Sequence, residues 1–422
     1  MPLILPLSAP EAADPSRFGA KASNLAALVH AGLPVPEGFC VDARAYRMQL
    51  SALGLEESAR GVFSSDDRPH ARRCALDTKL GLMQGAIVPE VREPLLSAWR
   101  SLVGEGRPGV VRSSALVEDR AGSSFAGQFQ SYLGLESEED FLTAVQACWG
   151  ALWSTRALRY MAAHGLDCAD TAMAILIQPL VPARAAGGGL SRTANGEMLV
   201  NAAQGLGAAV AQGEVVPDRY VLDRAGRVKE SALGQKYHAL NCVHGRRAFS
   251  RALFGAPCLD AEQLAELALL MRKCEEVISG PTEIEWALDD TGIHLLQARP
   301  LAVASAPVPD EIWLKHPGLN GHPSGIGWGE GRARVVNCEC ELGRVGPGEI
   351  LVTTVAGPAL SEVLPHVAGV VAELGGSTSH LASLARERGV PMVLGVLDAT
   401  RRIPDGSMVA VDGVAGVVRW MS

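Results

Sequence analysis

The chain has 422 residues, of which 48% are hydrophobic, and its 38 Lys and Arg against 46 Asp and Glu give a formal charge of -8. This length and composition are enough for two or three domains with hydrophobic cores of their own. The absence of a basic run argues against a nucleic-acid partner. No apolar run reaches about 18 residues, so the sequence predicts no membrane-spanning segment.

The nine cysteines are scattered, and the closest pair is Cys338 and Cys340. No CxxC pair or Cys/His cluster has zinc-site spacing, so a metal or redox function at this pair is poorly supported. The N-terminus lacks a basic segment and a cleavage site and predicts no signal peptide. We therefore expect a cytoplasmic protein with reduced thiols.

The first elements along the chain present two basic side chains. Residues 23–32 predict a helix that ends at a glycine, and it follows a glycine-containing loop at residues 18–23 that presents Lys21. Residues 110–114 predict a strand that places Arg112 before a glycine/serine loop, whose backbone N–H groups suit a phosphate chain. Taken singly, each basic residue is more often a solvated surface charge.

Polar side chains mark the next predicted strands. The apolar run at residues 172–181 predicts a strand with Gln178 near its end, and a buried core strand accounts for most of it. Residues 283–287 alternate like a half-buried strand, and the strand that ends at residues 297–300 is its natural hairpin partner. This pair of strands carries the carboxylates of Glu283 and Glu285, the amide of Gln297 and the guanidinium of Arg299. Such groups would suit Mg²⁺ and a nucleotide triphosphate. Solvated strand-face charges are the alternative interpretation.

A segment of small residues and prolines at 302–310 predicts a semi-extended linker. Downstream, a compact region contains four glycine-flanked segments that predict strands, at residues 348–353, 368–372, 408–412 and 416–420. A large α/β region, a tether and a small domain together indicate a mobile carrier.

The segment at residues 375–391 carries the strongest functional signal. Two glycines and three hydroxyl residues precede His380, which starts a predicted short helix with apolar residues at 381, 384 and 385 and a stop at Gly389. The positive end of the helix dipole favours a neutral, nucleophilic imidazole, and the N–H groups of the first turn can hold a phosphoryl group. His380 is thus a candidate for carrying phosphate covalently, and a plain helix-capping histidine is an equal alternative on chemistry alone.

Together these segments resemble the phosphoenolpyruvate synthase and pyruvate phosphate dikinase superfamily, in the same order over nearly the whole chain. The resemblance is carried by residues 18–25 (Phe-Gly-Ala-Lys-Ala-Ser-Asn-Leu), 31–39, 111–114 (Val-Arg-Ser-Ser), 124–128, 205–207 with Gly213 and 217–218, 284–286 (Ile-Glu-Trp), 296–300 (Leu-Gln-Ala-Arg-Pro) and 375–382. It implies an α/β (α+β) fold, with an ATP-grasp nucleotide-binding domain over residues 1–300, a flexible linker over 301–320 and a phosphohistidine swivelling domain over 321–422.

The resemblance also implies roles for single residues. Lys21 and Arg112 would hold the triphosphate of ATP with Ser131 nearby, Gln178 would border the adenine, Glu285 and Gln297 would hold Mg²⁺, and Arg299 would neutralise charge on the transferred phosphates. His380 would attack the β-phosphoryl group and become phosphohistidine, while the γ-phosphate leaves as orthophosphate and AMP remains. Phosphoryl transfer depends mostly on such positioning and charge neutralisation.

The sequence departs from the family pattern at three places. Ala208 stands where the family usually has glutamate, residues 186–193 differ from the usual run after the adenine strand, and Glu283 replaces the usual aspartate. The resemblance also does not extend to a pyruvate-binding barrel. We therefore expect the acceptor to be recognised by the surfaces of these two domains, by the loop insertions or by another polypeptide.

The expected function is that of an ATP-dependent, dikinase-type phosphotransferase. It would form phosphohistidine from ATP and pass the phosphoryl group to a small-molecule acceptor. One alternative is an ATP-charged phosphocarrier whose acceptor site lies on a partner subunit. Another is a nucleotide-binding regulator without turnover, to which Ala208 gives some support, although the retained basic, acidic and histidine residues argue against it.

Overall fold

The computed structural model describes residues 2–64, 67–103, 106–118, 125, 127–167, 171–234, 236–238, 250–252, 256–304 and 311–421. Helices and sheets are mixed along the chain, which confirms the predicted α/β (α+β) class. The contacts between residues divide the chain into two compact units. The first consists of Met1–Val181 and Leu295–Arg299, and the second of Pro182–His294 and Pro300–Ser422.

The first unit contains an antiparallel sheet of five strands in the order β1-β2-β5-β3-β4. The strands are β1 (Ile4–Pro6), β2 (Phe39–Val41), β3 (Gly109–Ala115), β4 (Ser131–Leu135) and β5 (Met173–Pro179). The helices within its described residues are α1 (Pro15–His30), α2 (Ala43–Ala52), α3 (Glu56–Ser64), α4 (Arg68–Gln84), α5 (Pro89–Leu102), α6 (Glu138–Ala151) and α7 (Thr155–Ala163).

Helix α1 begins earlier than the sequence predicts. Pro15 occupies its first position and the side chain of Asp14 accepts a hydrogen bond from the backbone N–H of Ser16, an arrangement typical of helix starts. The helix is interrupted at Gly19, whose φ of 72° and ψ of 158° are not helical. The prediction of a loop at residues 18–23 was therefore wrong except at this glycine, and Lys21 lies on the helix.

Ser114 on β3 fastens this interruption to the sheet. Its hydroxyl donates to the carbonyl oxygen of Phe18 at 2.7 Å and accepts from the backbone N–H of Ala22 at 3.1 Å. A Cβ atom on Gly19 would lie 2.6 Å from the same hydroxyl oxygen, so only glycine fits here. The start of α1 and the end of β3 are thus held in one fixed arrangement.

The second unit contains a six-stranded sheet, an eight-stranded sheet and a two-stranded ribbon. Its strands, within the described residues, are β6 (Ala185–Leu190), β7 (Met198–Gln204), β8 (Asp218–Leu222), β9 (Val228–Ala232), β10 (Lys236–His238), β11 (Ser250–Ala252), β12 (Thr282–Asp289), β13 (Gly292–Pro300), β14 (Gly318–Asn320), β15 (His322–Pro323), β16 (Trp328–Val336), β17 (Ile350–Thr353), β18 (Gly369–Ala372), β19 (Met392–Leu394), β20 (Met408–Asp412) and β21 (Val417–Met421). The helices there are α8 (Ala208–Ala211), α9 (Ala261–Ile278), α10 (Glu311–Leu314), α11 (His380–Arg388) and α12 (Ala399–Arg402).

The six-stranded sheet has the order β13-β12-β6-β7-β8-β9. Strands β12 and β13 follow each other in the chain and are neighbours, as the sequence predicts for a hairpin. Strand β13 begins in the second unit, and its residues Leu295–Arg299 belong to the first. Antiparallel pairing of β12 with β6 sets Glu285 opposite Gly188, which fixes the backbone position of a predicted site residue.

The eight-stranded sheet has the order β14-β21-β20-β16-β17-β18-β19-β15, with parallel pairing from β16 to β19. Its core is formed by small and branched apolar residues, among them Val352, Val371, Val393 and Val411. The four predicted strands of this region are confirmed as β17, β18, β20 and β21. Helix α11 connects the parallel strands β18 and β19, so its first residue follows the carboxyl end of β18.

Two sequence predictions fall partly outside the described residues. Of the glycine/serine loop at residues 121–127, the structure describes Phe125 and Gly127. In the predicted linker, residues 305–310 lie outside the described ranges, while α10 and β14 fall within it. The domain boundaries at residues 300 and 320 stay a prediction. In the part of the chain that the structure describes, no helix combines the length and apolarity that a membrane span requires.

Candidate functional site

Lys21 is buried in the first unit, with 6% of its surface exposed. Its ammonium group donates to the carbonyl oxygen of Ser113 at 2.8 Å and to the carboxylate of Glu118 at 2.6 Å. The break at Gly19 sets the path of the helix just before Lys21, so the kink contributes to the placement of this side chain. A buried, doubly anchored lysine is unlike the solvated surface charge that a lone lysine usually is.

Arg112 and Gln297 are hydrogen-bonded to each other in the same unit. Nη2 of Arg112 donates to Oε1 of Gln297 at 2.9 Å, and Nη1 donates to the carbonyl oxygen of Leu296. Arg299, two residues farther along β13, is also buried. The hydrogen bond from Arg112 therefore fixes the orientation of the Gln297 amide. Because an amide oxygen has two lone pairs, this contact is compatible with a metal-ligand role for Gln297.

Gln178 and Ser131 lie on the strands that flank β3. Gln178 is buried on β5, and its side-chain amide donates to the carbonyl oxygen of Pro36 at 3.0 Å. Ser131 is the first residue of β4; it is exposed and stands opposite Arg112 in the strand register. The structure thus brings Arg112 and Gln297 into direct contact, while Ser131 is a neighbour of Arg112 through the backbone.

In the second unit, the loop before α11 lies directly on the six-stranded sheet. A Cβ atom on Gly188 of β6 would come within 2.5 Å of the Cβ of Thr378, and the backbone N–H of Gly375 donates to the carbonyl oxygen of Val215 at 3.1 Å. Gly188 is the residue that stands opposite Glu285 on β12. The loop therefore lies over the strand next to Glu285, the half-buried carboxylate predicted to hold Mg²⁺.

The predicted helix after this loop is confirmed as α11. Ser379 caps it, since its hydroxyl accepts from the backbone N–H of Ala382 at 3.3 Å. Leu381 and Leu384 are buried, and Gly389 ends the helix in the left-handed conformation with a φ of 69°. His380 is the first helical residue and is half-buried.

A buried cluster of polar side chains fastens α11 to β12. Glu283 accepts from the hydroxyl of Ser383 at 3.0 Å and forms an ion pair with Nη2 of Arg386 at 3.0 Å. Nη1 of Arg386 donates to the carbonyl oxygen of Ser377 at 2.6 Å. In a strand, residues two apart share a face, so Glu283 lies on the same face of β12 as Glu285. The cluster thus links the helix of His380 to the strand of Glu285.

The sequence reasoning missed Ser383 and Arg386, and it noted Glu283 only as a departure from the family pattern. A signal was present, because His380, Ser383 and Arg386 are spaced three apart on an otherwise largely apolar helix. This spacing places polar side chains on one helical face. The partner carboxylate is not predictable in this way, since it lies 103 residues earlier in the chain.

Comparison with known proteins assigns the chain to a family. Residues 15–313 match the family model described as pyruvate phosphate dikinase, AMP/ATP-binding domain. The chain belongs to this pyruvate phosphate dikinase family. Residues 345–416 match a second model, described as PEP-utilising enzyme, mobile domain, which includes α11 and His380. The resemblance found in the sequence is thereby confirmed.

Two relatives match nearly the whole chain, and a third matches about three quarters of it. The probable phosphoenolpyruvate synthase of Archaeoglobus fulgidus is 32% identical over 434 residues, covering 95% of this chain and 56% of that protein. The phosphoenolpyruvate synthase of Pyrococcus furiosus is 31% identical, covering 96% of this chain and 57% of that protein. The prodigiosin synthesizing transferase PigC of Serratia marcescens is 34% identical over 316 residues, or 72% of this chain and 34% of that protein. The chain thus spans little more than half the length of the two synthases.

A second set of polar contacts holds the loop before α11. His322 is buried, and its Nδ1 lies 3.4 Å from Nδ2 of Asn201. The side-chain oxygen of Asn201, Oδ1, accepts a hydrogen bond from the hydroxyl of Thr378 at 3.4 Å. Burial lowers the pKa of His322 from 6.5 to about 3, with a smaller effect of the nearby Arg219 charge. The imidazole is therefore neutral in the folded chain at neutral pH.

This neutral histidine predicts a loss of stability in acid. Between pH 6.5 and pH 3 the unfolded chain binds a proton at His322 that the folded chain does not, so the free energy of unfolding falls as the pH falls through this range. At pH 5 the loss from this residue amounts to about 2 kcal/mol relative to pH 7. Urea unfolding at both pH values should show a smaller loss for His322→Gln than for the wild type. Equal losses in the two proteins would contradict the prediction.

Proposed function

We propose that this chain uses ATP and Mg²⁺ to phosphorylate its own His380 and then transfers the phosphoryl group to a small-molecule acceptor. Membership of a family described by AMP/ATP binding supports ATP as the donor. The match to a PEP-utilising mobile domain around His380 supports this histidine as the carrier.

The observation that carries the proposal is the position of the loop that leads into His380. Thr378 contacts Gly188, which stands opposite Glu285 in the sheet. Neighbouring strands are about 4.8 Å apart, so β12, which bears Glu285, lies one strand spacing from the strand that the loop contacts. A nucleophile at the start of α11 is thus close to the strand that would bind the metal–nucleotide complex.

The proposed roles follow the charges of the side chains. Lys21, Arg112 and Arg299 would bind and neutralise the triphosphate, Gln178 would border the adenine, and Ser131 would lie near the phosphates. Glu285 and Gln297 would hold Mg²⁺, since carboxylate and amide oxygens suit this ion, and bound Mg²⁺ would add further neutralising charge at the phosphates. These roles rest on the family resemblance and, for Lys21, Arg112, Gln178, Gln297 and Arg299, also on the burial of the side chain.

In the proposed reaction, a neutral imidazole nitrogen of His380 attacks the β-phosphorus of ATP. The bond between this phosphorus and the oxygen shared with the α-phosphate breaks, and AMP leaves. Water then cleaves the bond between the β- and γ-phosphates on His380. The γ-phosphate leaves as orthophosphate, and the β-phosphoryl group stays on the histidine. The N-terminal position on α11 favours this step, because the dipole and the N–H groups of the first turn stabilise the added negative charge.

Labelling of the protein with radioactive ATP tests the proposal. With Mg²⁺, ATP labelled at the β-phosphate should give acid-labile, base-stable label on the protein. ATP labelled at the γ-phosphate should leave its label in orthophosphate once the pyrophosphoryl group on His380 has been hydrolysed. His380→Ala and His380→Asn should abolish the protein label while retaining the circular dichroism of the wild type. If the wild type forms neither label nor AMP, the carrier mechanism is wrong.

The acceptor is proposed only by class. The relatives named phosphoenolpyruvate synthase favour a small molecule as acceptor. An ATP-charged carrier that serves an acceptor site on a partner subunit is the second candidate, and the match of residues 345–416 to a model described as a mobile domain favours it. We also propose a cytoplasmic location, where ATP is abundant and the free cysteines stay reduced.

A further inference from the structure

Glu118 occupies a position between Lys21 and the end of β3. One carboxylate oxygen accepts from the Lys21 ammonium at 2.6 Å, and the other accepts from the backbone N–H of Ala115 at 3.2 Å. The backbone N–H of Glu118 donates in turn to the carbonyl oxygen of Ala115 at 3.1 Å, so a tight turn holds the residue. Glu118 is 4% exposed and lies in the same buried environment as the lysine.

A buried ammonium group needs such a partner. Removing one member of a buried ion pair leaves an uncompensated charge, which is strongly unfavourable. The neighbouring Cys148 does not provide an alternative anion, since burial raises the pKa of its thiol to about 12 although Lys21 acts in the opposite direction. The carboxylate of Glu118 is therefore the anionic group that the described residues place against Lys21.

The geometry also fixes the direction of the lysine. An ammonium group has three N–H donors, and among the described residues Ser113 and Glu118 accept two of them. With two donors directed to fixed acceptors on and after β3, the direction of the third donor is set by tetrahedral geometry. A lysine without Glu118 would keep a single described anchor and gain rotational freedom.

We propose that Glu118 is a positioning residue that holds Lys21 charged and oriented so that its third donor binds the polyphosphate chain of ATP. The inference rests on the proposed function, because it takes Lys21 to face the phosphates. Glu118 itself does not contact the nucleotide in this proposal. Its contribution should therefore depend on Lys21 and on the presence of the β- and γ-phosphates.

Isothermal titration of the full chain with MgATP and with AMP separates this role from general stabilisation. Glu118→Gln keeps the size of the side chain and removes its charge. We expect it to weaken MgATP binding roughly tenfold, the scale of one hydrogen bond to a charged group, and to leave AMP binding unchanged. Glu118→Asp keeps the charge and should retain more of the MgATP affinity than Glu118→Gln.

The dependence on Lys21 is tested by a double-mutant cycle. Lys21→Met should weaken MgATP binding at least as much, and adding Glu118→Gln in that background should cause little further loss. Asp42→Asn is the matched control, because Asp42 is likewise a buried carboxylate paired with arginines and contacts Arg17 on the same helix α1. It should lower the melting temperature without changing the ratio of MgATP to AMP affinity.

Three results would overturn the inference. They are unchanged or tighter MgATP binding in Glu118→Gln, equal weakening of MgATP and AMP, and independent, additive losses in the double variant. Tighter binding would show that Glu118 competes with the phosphates for Lys21. If Glu118→Gln does not fold, Glu118→Asp replaces it: its shorter carboxylate should still weaken MgATP relative to AMP, and an unchanged ratio overturns the inference. Absence of label on His380 in a wild-type protein that binds MgATP would instead reject the proposed function alone.

Discussion

Replacing Arg386 by methionine is expected to lower the free energy of unfolding by about 3 kcal/mol and to slow the phosphorylation of His380 at least tenfold. The change leaves the buried carboxylate of Glu283 without its ion-pair partner, which typically costs 3 to 5 kcal/mol. It also removes the donor to the carbonyl oxygen of Ser377, in the loop that leads into His380. Urea unfolding and the initial rate of labelling from β-labelled ATP measure the two effects.

A control and a double variant make this prediction specific. Arg388→Met makes the same change two residues later on the same helix, where the side chain is partly exposed, and should alter stability by less than about 0.5 kcal/mol. The double variant Arg386→Met, Glu283→Gln should lose less free energy of unfolding than the two single variants together, because the carboxylate charge is then gone. Additive losses would mean that the ion pair does not couple α11 to β12.

The short-range features of the fold were predictable from the sequence. The start of α11, its buried leucines and its glycine stop follow from capping and periodicity within a few residues. The strands that bear Arg112 and Gln178 were predicted for the same reason, since alternation and apolar runs report local burial. The family resemblance added the candidate roles of these residues, which the structure does not test.

The contacts that hold the candidate groups were not predictable, because they join residues far apart in the chain. Glu118 and Lys21 are 97 residues apart, and Glu283 and Arg386 are 103 apart. The helical path through Lys21 was also missed, because a lone glycine between two apolar segments indicates a loop, whereas Ser114 stabilises a kinked helix instead. In each case a buried polar partner from another element decided the local structure.

Replacing Gly188 by alanine is expected to reduce the rate of His380 phosphorylation at least tenfold while changing the affinity for MgATP much less. The added methyl group would lie 2.5 Å from the Cβ of Thr378, so the loop before α11 must move away from β6. Such a displacement moves His380, the proposed nucleophile, away from the strand of Glu285, and a misplacement of about 1 Å can cost 100-fold in rate. Quench-flow labelling with β-labelled ATP measures the rate, and titration calorimetry measures the affinity.

Gly280→Ala provides the comparison for this change, because a Cβ atom there meets no heavy atom within 4 Å. In the Gly280→Ala protein, His380 should be labelled at the wild-type rate. In the Gly188→Val protein, which carries the larger side chain, His380 should be labelled more slowly than in Gly188→Ala. A Gly188→Ala protein that labels as fast as the wild type would show that phosphorylation occurs with the loop away from β6. The close approach of Thr378 to Gly188 would then have no part in loading the histidine, and the link from α11 to β12 would rest on the contacts of Ser383 and Arg386 with Glu283.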